Sequence, residues 1–178
     1  MYTLMSNILL TPHFALLEFT ESTTASKHGI NNSPTPEVQE NLRRLCEQTL
    51  EPLREALGLP VVITSGYRCK ELNDLISHHA HKSQHLKGQA ADFYVGWSAP
   101  VGGRGQATGN KPSPRERLVK AFHLILTDPK IDFDQLIIYP SFVHVSYVSP
   151  EANRHYIMTA RASGHYQRVS KEVALSIQ

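Results

Sequence analysis

The chain has 178 residues, 40% of them hydrophobic, enough for one sizeable core and too few for two comfortable domains, so residues 1–178 read as one domain. Eighteen Lys and Arg stand against sixteen Asp and Glu, a formal charge of +2, and the basic residues are dispersed rather than gathered into the stripe that polyphosphate binding needs, which argues against a nucleic-acid partner. No apolar run approaches the roughly 20 residues needed to cross hydrocarbon, so no membrane insertion is expected.

Residues Met1 to Leu10 lack a basic leader, a sustained apolar stretch and a small-residue cleavage site, so no secretory signal is read there. From Pro36 to Leu57 the apolar residues Val38, Leu42, Leu45, Cys46, Leu50, Leu53 and Leu57 recur in threes and fours, which predicts one amphipathic helix. Thr35-Pro36 supplies its cap and first-turn proline, and Gly58 with Pro60 ends it. Cys46 falls on the apolar face and reads as a small hydrophobe. Neither it nor Cys69 belongs to a Cys-x-x-Cys pair, so any metal must be held by His and carboxylate.

Pro60 to Ser65 is a β-branched run that predicts a buried strand, followed by the turn Ser65-Gly66-Tyr67-Arg68 and a short helix around Leu72, Leu75 and Ile76. Ser77-His78-His79-Ala80-His81-Lys82 is a His-rich loop. Adjacent residues of a loop do not hold a defined coordination geometry, so these histidines read as solvated rather than as a second metal site. Gln89 to Val95 predicts another strand. The segment around 96–112, with Gly102, Gly103, Gly105 and Gly109 and no periodicity, predicts a flexible loop.

Ser113-Pro114-Arg115-Glu116 is a capping box opening a helix whose buried face is Leu118, Val119, Phe122, Ile125 and Leu126. Asp134–Tyr139 and Phe142–Tyr147 then predict a hairpin about Pro140-Ser141. Asn153–Ala160 reads as a further strand and Ser170–Ile177 as a terminal helix. Helices segregated from a small, mostly antiparallel sheet give an α+β fold with the helices packed to one side.

Chemistry concentrates in Ser83-Gln84-His85-Leu86-Lys87-Gly88-Gln89-Ala90-Ala91-Asp92. Gly88 lets the chain reverse where a Cβ would obstruct, so His85 and Asp92 can converge. His144, inside a strand, offers a third donor. Two imidazoles and one carboxylate suit Zn2+ with an open position for water, the arrangement that amide hydrolysis uses.

Ser83-x-His85-x-x-Gly88-x-Ala90-x-Asp92, the preceding Ser65-Gly66-Tyr67-Arg68 with Leu72-Asn73, and the later Val143-His144-Val145-Ser146 resemble, in order and spacing, the zinc D-Ala-D-Ala carboxypeptidase and L-Ala-D-Glu endopeptidase family. The resemblance runs from Phe19 to about Ser146. It implies a hedgehog/DD-peptidase-like fold, zinc on His85, Asp92 and His144, and peptidoglycan stem peptides as substrates. It also implies that Arg68 holds a substrate carboxylate or the developing oxyanion, a task suited to a planar fork. Ser83 and Gln84 either donate to substrate peptide groups or shape the loop that aims His85. Many compact relatives are encoded by phages or prophages; with no secretory signal read, the expected location is the cytoplasm until release to the cell wall, or a phage particle.

One departure stands out. Characterised relatives carry an acidic general base three positions before the last His, where this chain has Ser141; others with a longer turn place Glu where it has Tyr139. Pairing across the predicted turn sets Ile138 opposite Val143 and Ile137 opposite His144. Alternation then puts Gln135, Ile137 and Tyr139 on the face of His144 and turns Asp134 away, unless a bulge shifts the register. Tyr139 thus reaches the metal site, but with a free pKa near roughly 10 it is a better hydrogen-bond donor than a base. Glu151 or His155 are further candidates to enter from the neighbouring segment. The alternative to a hydrolase is a zinc-containing but catalytically silent cell-wall-binding or phage structural module.

Overall fold

The computed structural model describes residues 8–77, 80–97, 111–160 and 165–178. Most of the segment expected to be a Gly-rich flexible loop, together with His78 and His79, lies outside the described residues. The chain begins with the antiparallel pair β1 (Leu9–Thr11) and β2 (Phe14–Ala15) and the helices α1 (Leu16–Thr20) and α2 (Thr23–His28). The sequence reading assigned none of these four, because each spans two to six residues and is too short to display a period.

The long helix expected over Pro36–Leu57 is present as α3 (Pro36–Leu45), a π-helical turn over Cys46–Leu50 and α4 (Glu51–Leu57). Thr35 caps it by accepting from the Val38 amide, and Gly58 closes it in the left-handed conformation, φ 62°. Pro52 has no N–H to give the Gln48 carbonyl. That carbonyl accepts from the Asp132 amide instead, while Thr49 Oγ1 donates to the Asp132 carbonyl, so the helix is bound directly to the segment that leads into the hairpin.

Beyond it come β3 (Val61–Ser65), α5 (Lys70–Ser77), a 3-10 turn over Gln84–Lys87, β4 (Ala90–Val95), α6 (Pro114–Thr127), β5 (Gln135–Ile138) and β6 (Val143–Ser146). The chain closes with β7 (Tyr156–Ala160), β8 (Tyr166–Arg168) and α7 (Lys171–Leu175). The strands β3 to β8 form a six-stranded sheet in the order β3-β4-β6-β5-β7-β8. Every pairing in it is antiparallel except β5 with β7. The fold is therefore α+β with a mostly antiparallel sheet. Strand β8 was absent from the sequence reading; its Tyr-Gln-Arg is exposed at the sheet edge and carries no apolar alternation.

The sheet has two unlike faces. Ala91, Phe93 and Val95 of β4, Val143 and Val145 of β6, and Leu136 and Ile138 of β5 join one buried cluster with Phe122 and Ile125 of α6. The intervening residues, Asp92, His144 and Ile137, point the other way. Burying those seven core residues anchors the strands, so the opposite face is held in register without needing an apolar surface of its own.

Candidate metal centre

Asp92 and His144 are direct partners across the β4–β6 pair, and Ile137 faces His144 across β5–β6, the register read from the sequence. His85 arrives from outside the sheet. Its 3-10 turn ends at Gly88, whose φ of +66° and close approach to Val38, 2.8 Å from a would-be Cβ, leave no room for a side chain. Arg68 donates its backbone amide to the His85 carbonyl at 3.1 Å, tying the β3–α5 turn to this loop.

Gly66 in that turn serves twice. A Cβ there would lie 2.6 Å from the Phe19 backbone, so only glycine lets the turn seat against α1. Its carbonyl accepts from His85 Nδ1 at 2.6 Å, which fixes the proton on Nδ1 and leaves Nε2 as a bare lone pair.

His85 Nε2 lies 3.5 Å and His144 Nδ1 2.8 Å from the same oxygen, Asp92 Oδ1. The other carboxylate oxygen, Oδ2, accepts from Arg68 Nη2 at 3.1 Å. One donor atom from each of His85, Asp92 and His144 lies within 4.8 Å of the others, and these three could hold a metal ion. The donor set fits a divalent cation for a specific reason: with Nδ1 committed to Gly66, the His85 lone pair faces a carboxylate oxygen, an electron-rich pair that a cation between them would satisfy.

Electrostatics agree with that fit. Burial opposes ionisation of Asp92, but the hydrogen bonds and charges of His144 and His85 outweigh it and hold the carboxyl well below the usual range. Burial pushes the His85 pKa down, so its imidazole is neutral and free to donate a lone pair at neutral pH.

Arg68 stands beside the triad with its fork largely spent. Nε and Nη2 donate to Ser65 Oγ, Nη1 to Ser77 Oγ and Nη2 also to Asp92. It supplies fixed positive charge and a single unspent Nη1 hydrogen rather than an open bidentate edge. Ser83 is half-buried, and its hydroxyl makes no hydrogen bond among the described residues. Gln84 has committed its amide, donating Nε2 to Asp134 Oδ2 at 2.8 Å.

Tyr139, in the β5–β6 turn, stacks on Phe142 with centroids 4.0 Å apart and donates its hydroxyl to Tyr166 at 3.0 Å. Burial and then this hydrogen bond push the phenol's pKa up, so Tyr139 keeps its proton. Ser141 is exposed in the same turn.

Asp134 corrects the sequence reading. Rather than turning away, it lines a pocket together with His144. The reason is local: the Asp134 amide donates to the Ser146 carbonyl and the Gln135 amide to the Ser146 hydroxyl, two residues against one as in a β-bulge. The Asp134 carboxylate is buried and taken up by Arg154, Gln84 and Ser146. Of the two further candidates, His155 bonds Asp132 at 2.9 Å, and Glu151 is exposed in the turn after β6. Sequence reasoning missed Arg154 and Tyr166 altogether; no motif marks them, and only the parallel β5–β7 pairing and strand β8 bring them here.

A protein-family model described as Peptidase M15 matches residues 12–100, half of the chain. That span takes in Arg68, Ser83, Gln84, His85 and Asp92 and stops short of Tyr139 and His144. No curated protein gives a significant match.

Proposed function

Because the chain belongs to the Peptidase M15 family, we propose that this metallopeptidase is a zinc-dependent hydrolase of peptide bonds in bacterial peptidoglycan stem peptides, acting as a carboxypeptidase or an endopeptidase. The observation that carries this reading is the convergence of His85 Nε2, Asp92 Oδ1 and His144 Nδ1 on one point, with the other edge of each of the first two already tied down. The chemistry zinc supplies in such a donor set is Lewis acidity toward a carbonyl oxygen and acidification of water, from a pKa of 15.7 toward roughly 7.

The chain's own groups then have distinct tasks. Gly66 holds the His85 tautomer, and Arg68 holds Asp92 so that a single oxygen faces the site. The Arg68 charge, with its remaining hydrogen, favours negative charge building on the substrate carbonyl. Tyr139 keeps its proton in the bond to Tyr166 and does not act as a base. Ser83 offers its hydroxyl to the substrate backbone.

A second reading is favoured by the hairpin itself. With Ser141 and Tyr139 in the positions where relatives carry an acid, the hairpin itself supplies no general-base assistance, which is worth a factor of roughly 10² to 10⁴. A protein that binds stem peptides without turning them over would need the same metal site. Elemental analysis for zinc, followed by release of new amines from purified peptidoglycan, separates the two: one zinc with new amines supports the hydrolase, and one zinc with none supports the binding module.

A further inference from the structure

Where β5 and β7 begin, a pocket of about 400 Å3 adjoins the metal centre, its lining including Lys82, Gln84, Lys87, Asp134, His144 and Arg154. We infer that this pocket is an anion subsite that takes a carboxylate of the substrate peptide, on the opposite side of His144 from Tyr139. The inference rests on the peptide-hydrolase reading above and deepens it.

Charge is the first argument. Three cations line the pocket against one carboxylate, and that carboxylate is spent. Asp134 Oδ1 accepts from the Arg154 amide at 2.9 Å and Nε at 2.8 Å, while Oδ2 accepts from Arg154 Nη2, from Gln84 Nε2 at 2.8 Å and from Ser146 Oγ at 3.4 Å. Neither Lys82 nor Lys87, both exposed, has an ion-pair partner among the described residues.

Pre-organisation is the second. The Arg154 guanidinium is gripped on one edge by a buried carboxylate, touches Gln84 Oε1 at 3.3 Å and lies 4.9 Å from the centroid of the Tyr156 ring. Its Nη1 makes no hydrogen bond among the described residues. An arginine already immobilised loses little entropy on taking a ligand, and its spare amino group is left to make a charge-assisted bond to an occupant of the pocket it lines. Arg68 contrasts with it, having spent all but one hydrogen on the protein.

Position decides the class of anion. Ser146, against which Asp134 sits, is two residues along β6 from His144, about 7 Å at strand rise. An occupant therefore belongs to the same short peptide whose bond lies at the metal centre, one or two residues from the scissile link. A long polyanion would need cations continuing beyond a pocket of this size.

The test uses the zinc-loaded full chain and a synthetic stem pentapeptide, alongside forms in which each carboxylate in turn is amidated. Amidating the carboxylate that occupies the pocket should lower kcat/KM by about tenfold, mainly through KM. In the double variant Lys82→Glu/Lys87→Glu that ratio should collapse to about one, with zinc content and melting temperature matching the parent protein. If no single amidation changes kcat/KM, or the variant keeps the parent's preference, the subsite is refuted; a preference owed to Arg68 would survive in the variant. If no peptide is cleaved, the hydrolase reading fails on its own, and calorimetric binding of the same peptides to parent and variant decides the subsite by the same ratio.

Discussion

Asp92 and His144 face each other across one antiparallel pair, yet the two stretches of chain behind them differ. On the β4 side both candidate ligands are held by other residues: Gly66 fixes the His85 ring, the Arg68 amide fixes the His85 backbone, and the Arg68 side chain fixes Asp92. On the hairpin side the third candidate ligand, His144, faces Asp92, but the turn beside it offers a protonated phenol and an exposed serine instead of a carboxylate. Holding a metal and moving a proton are separate demands, and the fixed groups on the β4 side suit the first, while the hairpin turn adds no carboxylate for the second.

The largest effect should come from breaking the β4 side. Asp92→Ala or His85→Ala should reduce zinc from about one equivalent per chain to about a tenth or less and abolish any amide hydrolysis, as elemental analysis and amine release would show. Unchanged zinc in both variants would dismantle the metal centre. The next largest sharpens the contrast from the other side: Tyr139→Glu should raise kcat by about 10²-fold at unaltered zinc content, because it supplies a base on the face of His144. A flat rate in that variant would mean that the hairpin does not limit turnover.

Gly66→Ala tests how the β4 side is positioned. A methyl 2.6 Å from the Phe19 backbone must displace the turn, so the denaturant midpoint should fall by an amount worth about 1–3 kcal/mol, with weaker zinc binding as the His85 ring loses its carbonyl partner.

The smallest effect concerns Asp134, on the hairpin side. Burial opposes its charge, but hydrogen bonds from Arg154 and Gln84 and the charge of Arg154 prevail and keep its pKa below the ordinary carboxylate value. A depressed folded pKa contributes stability that is present above the unfolded value, roughly 3.9, and is lost as pH falls through the folded value. Urea midpoints of the parent protein and Asp134→Asn should therefore differ at about pH 5 and draw together toward about pH 2.

Much of the frame was legible because it is written in local periods. The 3.6-residue recurrence from Val38 to Leu57 announced the helix, the Ser113–Glu116 box announced α6 with both reciprocal bonds present, and pairing across the turn placed Ile137 opposite His144. The register survived even though β7 pairs in parallel with β5, because burial of Leu136, Ile138, Val143 and Val145 on one face leaves no other pairing that keeps them dry. The short elements near the amino terminus and strand β8 were not legible, since two to six residues carry no period.

By itself the sequence determined the donor types and which strand face carries them, because alternation and a glycine turn are local constraints that a few residues impose on themselves. Only the tertiary structure decided that Gly66 would fix the tautomer of His85, that a two-against-one contact at Ser146 would bring Asp134 inward, that Arg154, just before β7, would grip Asp134, and that Tyr166 of β8 would take the Tyr139 hydroxyl. Those outcomes depend on contacts between residues 11 to 70 positions apart, where packing rather than local preference selects the neighbour.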